Sequence, residues 1–241
     1  MKNINLKRFS FIFLILAITF GIVYTFNFVN LNQNVEDVNA LPSTNKVIVI
    51  DARHRKPDEG AVGFNSTAEQ AINLSIALKL QKLIEQSGAK VLLTRSDENG
   101  IYSLDSKSIR EKKISDVKNR VKIGNENNVD IFVSIHLNKF SGSSEYKGWQ
   151  TFYKKDSEDS KLLATYIQDN LTKNIRIENK RKVMSITNVY VMDKLQVPAV
   201  IVECGFLSNP EETEKLKTDD YQNKLAWGIF IGIEEYFSKG G

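Results

Sequence analysis

The chain has 241 residues, 41% of them hydrophobic and 26% charged, which is enough apolar material for one substantial core. Its formal net charge of +4 falls to 4 − 3 = +1 once Lys2, Lys7 and Arg8, all ahead of the first acidic residue Glu36, are set apart. That balance excludes a basic stripe for nucleic acid, and a single cysteine, Cys204, excludes a disulfide framework or a cysteine-built zinc cluster.

In chain order, residues 1–8 are a basic N-terminus of the kind retained in the cytoplasm. The uncharged apolar run over residues 9–29 matches the ~20 residues of a bilayer-spanning helix and predicts a transmembrane signal anchor that leaves the remainder extracytoplasmic. A cleaved signal peptide is the alternative, but the run exceeds a usual h-region and no small-x-small site follows it. Residues 30–45 are mostly polar and are expected to form a linker, leaving 46–238 as the folded domain. Within it, Lys46–Asp51, Lys90–Thr94, Asp130–Ile135, Trp149–Tyr153, Val189–Met192 and Ala199–Val202 are predicted strands, being short and rich in apolar residues. Thr67–Gln86, Ser108–Asn127, Ser157–Asn174 and Tyr221–Phe237 carry helical periodicity. The alternation predicts a single α/β domain, a mostly parallel twisted sheet of about six strands flanked by helices.

Ligands of such sheets gather beyond the carboxyl ends of the strands. His54 follows the first predicted strand, His136 ends the third and Glu203 ends the last, so both histidines of the chain and one carboxylate fall on one sheet edge. Neutral imidazole is a standard zinc ligand, and a catalytic zinc takes three protein ligands and keeps one position open. Glu69 sits in the first helical turn after the His54 loop. Spacing leaves it two roles, third ligand or, in Ser66-Thr-Ala-Glu69, the returning arm of a capping box. Glu203 ends an apolar strand, where it is either the partner of an arginine such as Arg95 or Arg120, or a general base. Cys204 admits a thiol-hydrolase alternative, although strand alternation turns it away from the Glu203 side.

The stretches Val47-Ile-Val-Ile-Asp51 with His54, Asp58 to Gly63, Glu69 with Asn73, Thr94-Arg95-Ser-Asp97, Asn119-Arg120 with Asn125, Asp130 to Asn138, and Pro198 to Pro210 come in the order of a known family. Through them the chain from Lys46 to Phe237 resembles the zinc-dependent N-acetylmuramoyl-L-alanine amidases, the amidase 3 catalytic domain. It looks most like the germination-specific, spore-cortex amidases of endospore-forming bacteria. The resemblance implies Zn2+ on His54, Glu69 and His136, with Glu203 as the catalytic glutamate. It also implies hydrolysis of the bond between N-acetylmuramic acid and L-alanine in peptidoglycan strands, upstream of muramic-δ-lactam formation in the cortex. The catalytic domain would then act in the cell wall or the spore intermembrane space, anchored by its N-terminal helix and served by an accessory activating protein. One departure stands out: Arg53 and Arg55 flank His54 where the family usually has glycine. Either they strain and weaken the site, with a wall-binding protein of impaired catalysis as the limiting case, or they and Asn138 bind substrate.

Overall fold

The computed structural model describes residues 12, 14–25, 40–56 and 58–241, and the chain divides after Ala40 into two units. In the first, residues 14–25 are helical. Among the described residues no helix is long and apolar enough to cross a membrane. The expected transmembrane anchor over 9–29, and the membrane-anchored localisation built on it, are therefore corrected: the helical stretch that is described falls short of the ~20 residues a bilayer requires. The rest of that segment, like most of the expected linker, lies outside the described residues.

The second unit, Leu41–Gly241, is an α/β domain. Its strands are β1 (Val47–Ala52), β2 (Lys90–Leu93), β3 (Ile131–Asn138), β4 (Gln150–Lys154), β5 (Met184–Ile186) and β6 (Ala199–Phe206). They form one 6-stranded sheet in the order β2-β1-β3-β6-β4-β5. The helices are α1 (Glu69–Gln86), α2 (Ile109–Asn125), α3 (Glu158–Ile175), α4 (Tyr190–Lys194), α5 (Pro210–Leu216) and α6 (Asp219–Ser238). β2, β1, β3 and β6 run parallel, but β4 pairs antiparallel with β6 and carries β5 with it. The sheet is mixed, which corrects the expectation of a mostly parallel one. Its cause is the β3–β4 connection, residues 139–149, which holds no helix; a parallel return needs a crossover of about a dozen residues or more, usually helical.

Two further expectations change. Val189–Met192 is not a strand: Val189 caps α4, whose Val191 and Met192 are buried, and a short apolar run carries no period that separates strand from buried helix. Helix α5 was not expected, yet its signal is plain, for the Asn209 side chain accepts from Glu212 N–H at 2.9 Å and Pro210 opens the first turn.

Alternation along the strands sorts residues onto two faces. Ile48, Ile50, Ile131, Val133, Ile135, Val200, Val202 and Cys204 join the larger core with residues of α1, α3 and α6. Val49, Phe132, Ala199 and Ile201 join the smaller one with Val191, Met192 and Leu195 of the α4 region. Continued by the same alternation toward the carboxyl ends, this second face becomes polar: Val49 gives way to Asp51, Phe132 to Ser134 and His136, Ile201 to Glu203. His136 and Glu203, two of the candidate site residues, are thus late positions of strands whose earlier positions build a core.

Candidate metal centre

His54, Glu69 and His136 each offer a donor atom within 4.8 Å of the others. His54 Nε2 lies 3.6 Å from Glu69 Oε2 and His136 Nδ1 lies 3.7 Å from Glu69 Oε1. Both separations exceed hydrogen-bond reach, so three donors face one centre without satisfying one another. Two imidazoles and a carboxylate suit a divalent ion of borderline softness. Gly60 shapes the same space: at φ +72°, its backbone sits where an added Cβ would lie 2.6 Å from both Glu69 Oε2 and His54 Cδ2.

The polypeptide around Glu69 removes the capping alternative. Ala68 is the N-cap of α1 and makes no side-chain cap bond. Glu69 instead accepts from Ala61 N–H at 2.8 Å through Oε2, and from Leu137 N–H and Asn73 Nδ2, each at 3.1 Å, through Oε1. Asn73 also donates to the Arg53 carbonyl. A carboxylate only 2% exposed is thereby aimed by donors from the loop after β1, from β3 and from its own helix.

Each imidazole is held by its far nitrogen. His54 Nδ1 is 3.2 Å from Asp58 Oδ2, and Lys113 of α2 approaches Asp58 Oδ1 at 3.4 Å. His136 Nε2 is 3.1 Å from Ser134 Oγ, which donates to Asp51 Oδ2 at 2.6 Å. The other Asp51 oxygen takes Thr94 Oγ1 at 2.8 Å and the Arg120 guanidinium. Burial alone would raise the Asp51 pKa, but Arg120, Arg53 and the two hydroxyls outweigh it and hold the carboxyl far below the usual range. His136 is pushed well below its ordinary value, chiefly by burial and then by Arg53, so its ring is neutral.

Glu203 lies opposite His136 in the β3–β6 register, and the bulge that follows, where Asn138 pairs with Phe206, sits beside the centre. Neither arginine considered as its ion-pair partner reaches it. Arg95 is spent on the carbonyls of Ala52, Asp97 and Gln70, and Arg120 on Asp51 and Asp116. Among the described residues, Glu203 Oε2 is enclosed and finds no hydrogen-bond partner. Burial, then the Glu69 carboxylate, push this carboxyl up to about 8.

The other candidates separate. Arg55 is 3% exposed and turned away from the centre: its Nε pairs with Asp116 Oδ1 at 2.6 Å and Nη2 donates to the Lys112 carbonyl at 3.1 Å. That pairing gives no support to its expected contact with substrate. The space it fills is left by Gly100, where a Cβ would overlap the guanidinium. Neither Arg53 nor Arg55 is among the non-glycine residues with positive φ, so the expected backbone strain is absent. Arg53 lines a cavity of about 140 Å³ with His54 and Asp58. Asn138 ends β3, and the loop after it borders an open cleft of about 520 Å³ lined by Val62, Gly63, Lys139, Phe140 and Leu207. Cys204 is wholly buried on the opposite face, and burial pushes its thiol up, which removes it as a nucleophile. Sequence reasoning gave no role to Asp51, Asp58, Gly60, Asn73 or Ser134. All five lie within or beside the matching stretches, and polarity at inward strand positions was the available signal for Asp51 and Ser134.

A family model described as N-acetylmuramoyl-L-alanine amidase matches residues 48–235. The germination-specific N-acetylmuramoyl-L-alanine amidase of Bacillus subtilis is 33% identical over 237 residues, 98% of this chain and 97% of that protein. Among solved structures, the CwlD amidase of Clostridioides difficile, determined in complex with the GerS lipoprotein, is 44% identical. It has a TM-score of 0.78 and covers 81% of this chain and 100% of its own. An N-acetylmuramoyl-L-alanine amidase of Clostridium difficile 630 is 30% identical with a TM-score of 0.72, covering 83% of this chain and 100% of its own.

Proposed function

The chain belongs to the N-acetylmuramoyl-L-alanine amidase family, and from that premise we propose that residues 46–238 hydrolyse the amide joining the lactyl group of N-acetylmuramic acid to L-alanine in peptidoglycan. The observation that carries this reading is the convergence of His54, Glu69 and His136 on one centre, with the unpaired Glu203 Oε2 on the adjoining strand. These three residues would hold Zn2+. When bound, zinc supplies Lewis acidity toward the amide carbonyl and toward water.

The chain's own groups supply the rest. Glu203 Oε2, free of any competing donor, takes the proton of the attacking water and returns it to the leaving L-alanine nitrogen. Asp58 and Ser134 hold the histidine rings so that the nitrogens facing Glu69 stay unprotonated. The cleft bordered by Val62, Lys139 and Phe140 receives the strand, Asn138 at the end of β3 contacts it there, and Arg53 contacts it from the cavity it lines with His54 and Asp58. The likeness to the germination-specific amidase supports a role in cortex maturation, before muramic-δ-lactam formation. Likeness to an amidase solved with a lipoprotein supports an accessory protein partner. Because Arg55 is turned into a buried ion pair, no observation favours a wall-binding protein of impaired catalysis.

Digestion of purified peptidoglycan followed by mass spectrometry of the products tests the reaction. Free stem peptides and peptide-free muramic acid are expected, abolished by a chelator and restored by zinc. Cleavage at a peptide–peptide or glycosidic bond would sink the proposal.

A further inference from the structure

The histidines present opposite nitrogens to the centre, His54 its Nε2 and His136 its Nδ1, so they need opposite tautomers. His54 receives its tautomer from Asp58, a carboxylate that only accepts, placed against Nδ1 at 3.2 Å. Among the described residues no carboxylate pairs with the Nε2 of His136. That nitrogen meets the Ser134 hydroxyl at 3.1 Å, and a hydroxyl can donate or accept. What settles its direction is one step further away. Ser134 and His136 share a face of β3, and Ser134 is paired in register with Asp51 of β1. Asp51 is 1% exposed and fixed at Oδ1 by Thr94 and by Arg120, itself clasped to Asp116 at 2.6 Å. An ionised carboxylate cannot donate, so Ser134 must give its single proton to Oδ2, 2.6 Å away. Its oxygen is then left to accept, and His136 must carry its proton on Nε2.

We propose that Asp51 and Ser134 are positioning residues: a one-way hydrogen-bond relay that fixes His136 in its Nε2–H tautomer and so leaves Nδ1 bare toward the metal. The inference rests on the metal-centre reading for its purpose, but the tautomer is a property of the metal-free chain. Asp51→Asn keeps the size of the side chain and reverses its polarity. The amide oxygen stays against Arg120 and Thr94, and the NH2 group faces Ser134. Ser134 then accepts from Asn and donates to His136, which moves the ring proton to Nδ1 and closes the metal position.

The test uses the full chain labelled with 15N-histidine; with only 2 histidines the ring signals are separable. In metal-free wild-type protein at a pH where the ring is neutral, His136 is expected as Nε2–H, and in Asp51→Asn as Nδ1–H. Zinc affinity, measured by chelator competition, should fall about 10- to 100-fold in Asp51→Asn. Adding Ser134→Ala to that variant should recover part of the loss, because the reversed relay runs through the hydroxyl. A merely structural role for Asp51 predicts the opposite, a further loss. An Nε2–H ring in Asp51→Asn, or a double variant that binds zinc no better than Asp51→Asn alone, would overturn the relay. Should Asp51→Asn fail to fold, Ser134→Ala alone decides: a mixture of His136 tautomers supports the relay, and an unchanged single tautomer refutes it. Loss of the tautomer preference with normal peptidoglycan cleavage would separate failure of the relay's purpose from failure of the amidase reading.

Discussion

Glu203 is the residue on which chemistry and stability meet. In an unfolded chain its carboxyl titrates near ~4.3, whereas in the metal-free fold burial and Glu69 push it up to about 8. Between those values the folded chain binds one more proton than the unfolded chain. Its contribution to stability is therefore complete below the lower value and is lost as pH rises through the upper one. Glu203→Gln should flatten that dependence. Denaturation of chelated protein is expected to show the variant more stable by about 4–5 kcal/mol at pH 8 and equal to wild type near pH 4; parallel curves would refute the burial account. Gly60 is the complementary case, a residue whose absent side chain is its function. With φ at +72° and a Cβ position 2.6 Å from Glu69 Oε2, Gly60→Ala should cost about 1–2 kcal/mol of stability. It should also weaken zinc binding at least tenfold, both measurable in one titration series.

At this scale the sequence was partly transparent. His54, His136 and Glu203 could be found because each ends or follows a strand, a place where an apolar run has no other reason to turn polar. Glu69 could not be assigned from spacing, since a cap and a ligand occupy the same helical turn. Only the bonds to Ala61 and Leu137 distinguish them. The Asp51–Ser134 contact spans 83 positions in the chain, a separation no local pattern encodes.

Among elements, α2 deserves emphasis because it braces the centre from outside. Its Asp116 receives Arg55 from the His54 loop and Arg120 from its own next turn, and Arg120 reaches Asp51. The arginine beside His54, which looked like a perturbation of the site, is instead a tie to α2 with Gly100 making room. Gly100→Ala should expel Arg55 and leave a buried charge short of its partner, a change of about 3 kcal/mol or more by analogy with broken buried pairs; thermal denaturation checks it. On the other face, α6 crosses α3 closely enough that a Cβ on Gly232 would sit 2.5 Å from Ile167 Cα. Gly232→Val is expected to destabilise by about 1–3 kcal/mol through overpacking while leaving kcat of the folded fraction unchanged, because no metal-centre residue lies on either helix.

Helix and strand periods were readable where amphipathic segments were long, as in α1, α3 and α6. They failed at Val189–Met192, where an apolar run too short to show a period became α4. The three-residue β5 joins only the edge of the sheet and has too few residues to announce itself.

For the whole molecule, topology decides where chemistry can occur. Four parallel strands bring their carboxyl ends to one edge, and the antiparallel β4 seals the flank of β6, covering the strand that carries Glu203. Alternation predicted the gathering of His54, His136 and Glu203 on that edge but not the direction of β4, which depends on the length of a connection and not on the pattern within it. The expected span over residues 9–29 is not supported either, since among the described residues no helix is long and apolar enough to cross a membrane.

The central claim is that one zinc held by His54, Glu69 and His136 works with Glu203 as the proton carrier. Its most direct test is zinc content and release of new L-alanine amino termini from peptidoglycan, measured together on wild-type protein and Glu203→Gln. The account predicts about one zinc per chain in both, with termini released by the wild type and reduced about 10²- to 10⁴-fold in the variant. A variant that cleaves as fast as wild type, or that has lost its zinc along with its activity, would contradict the division of labour between the metal ligands and Glu203.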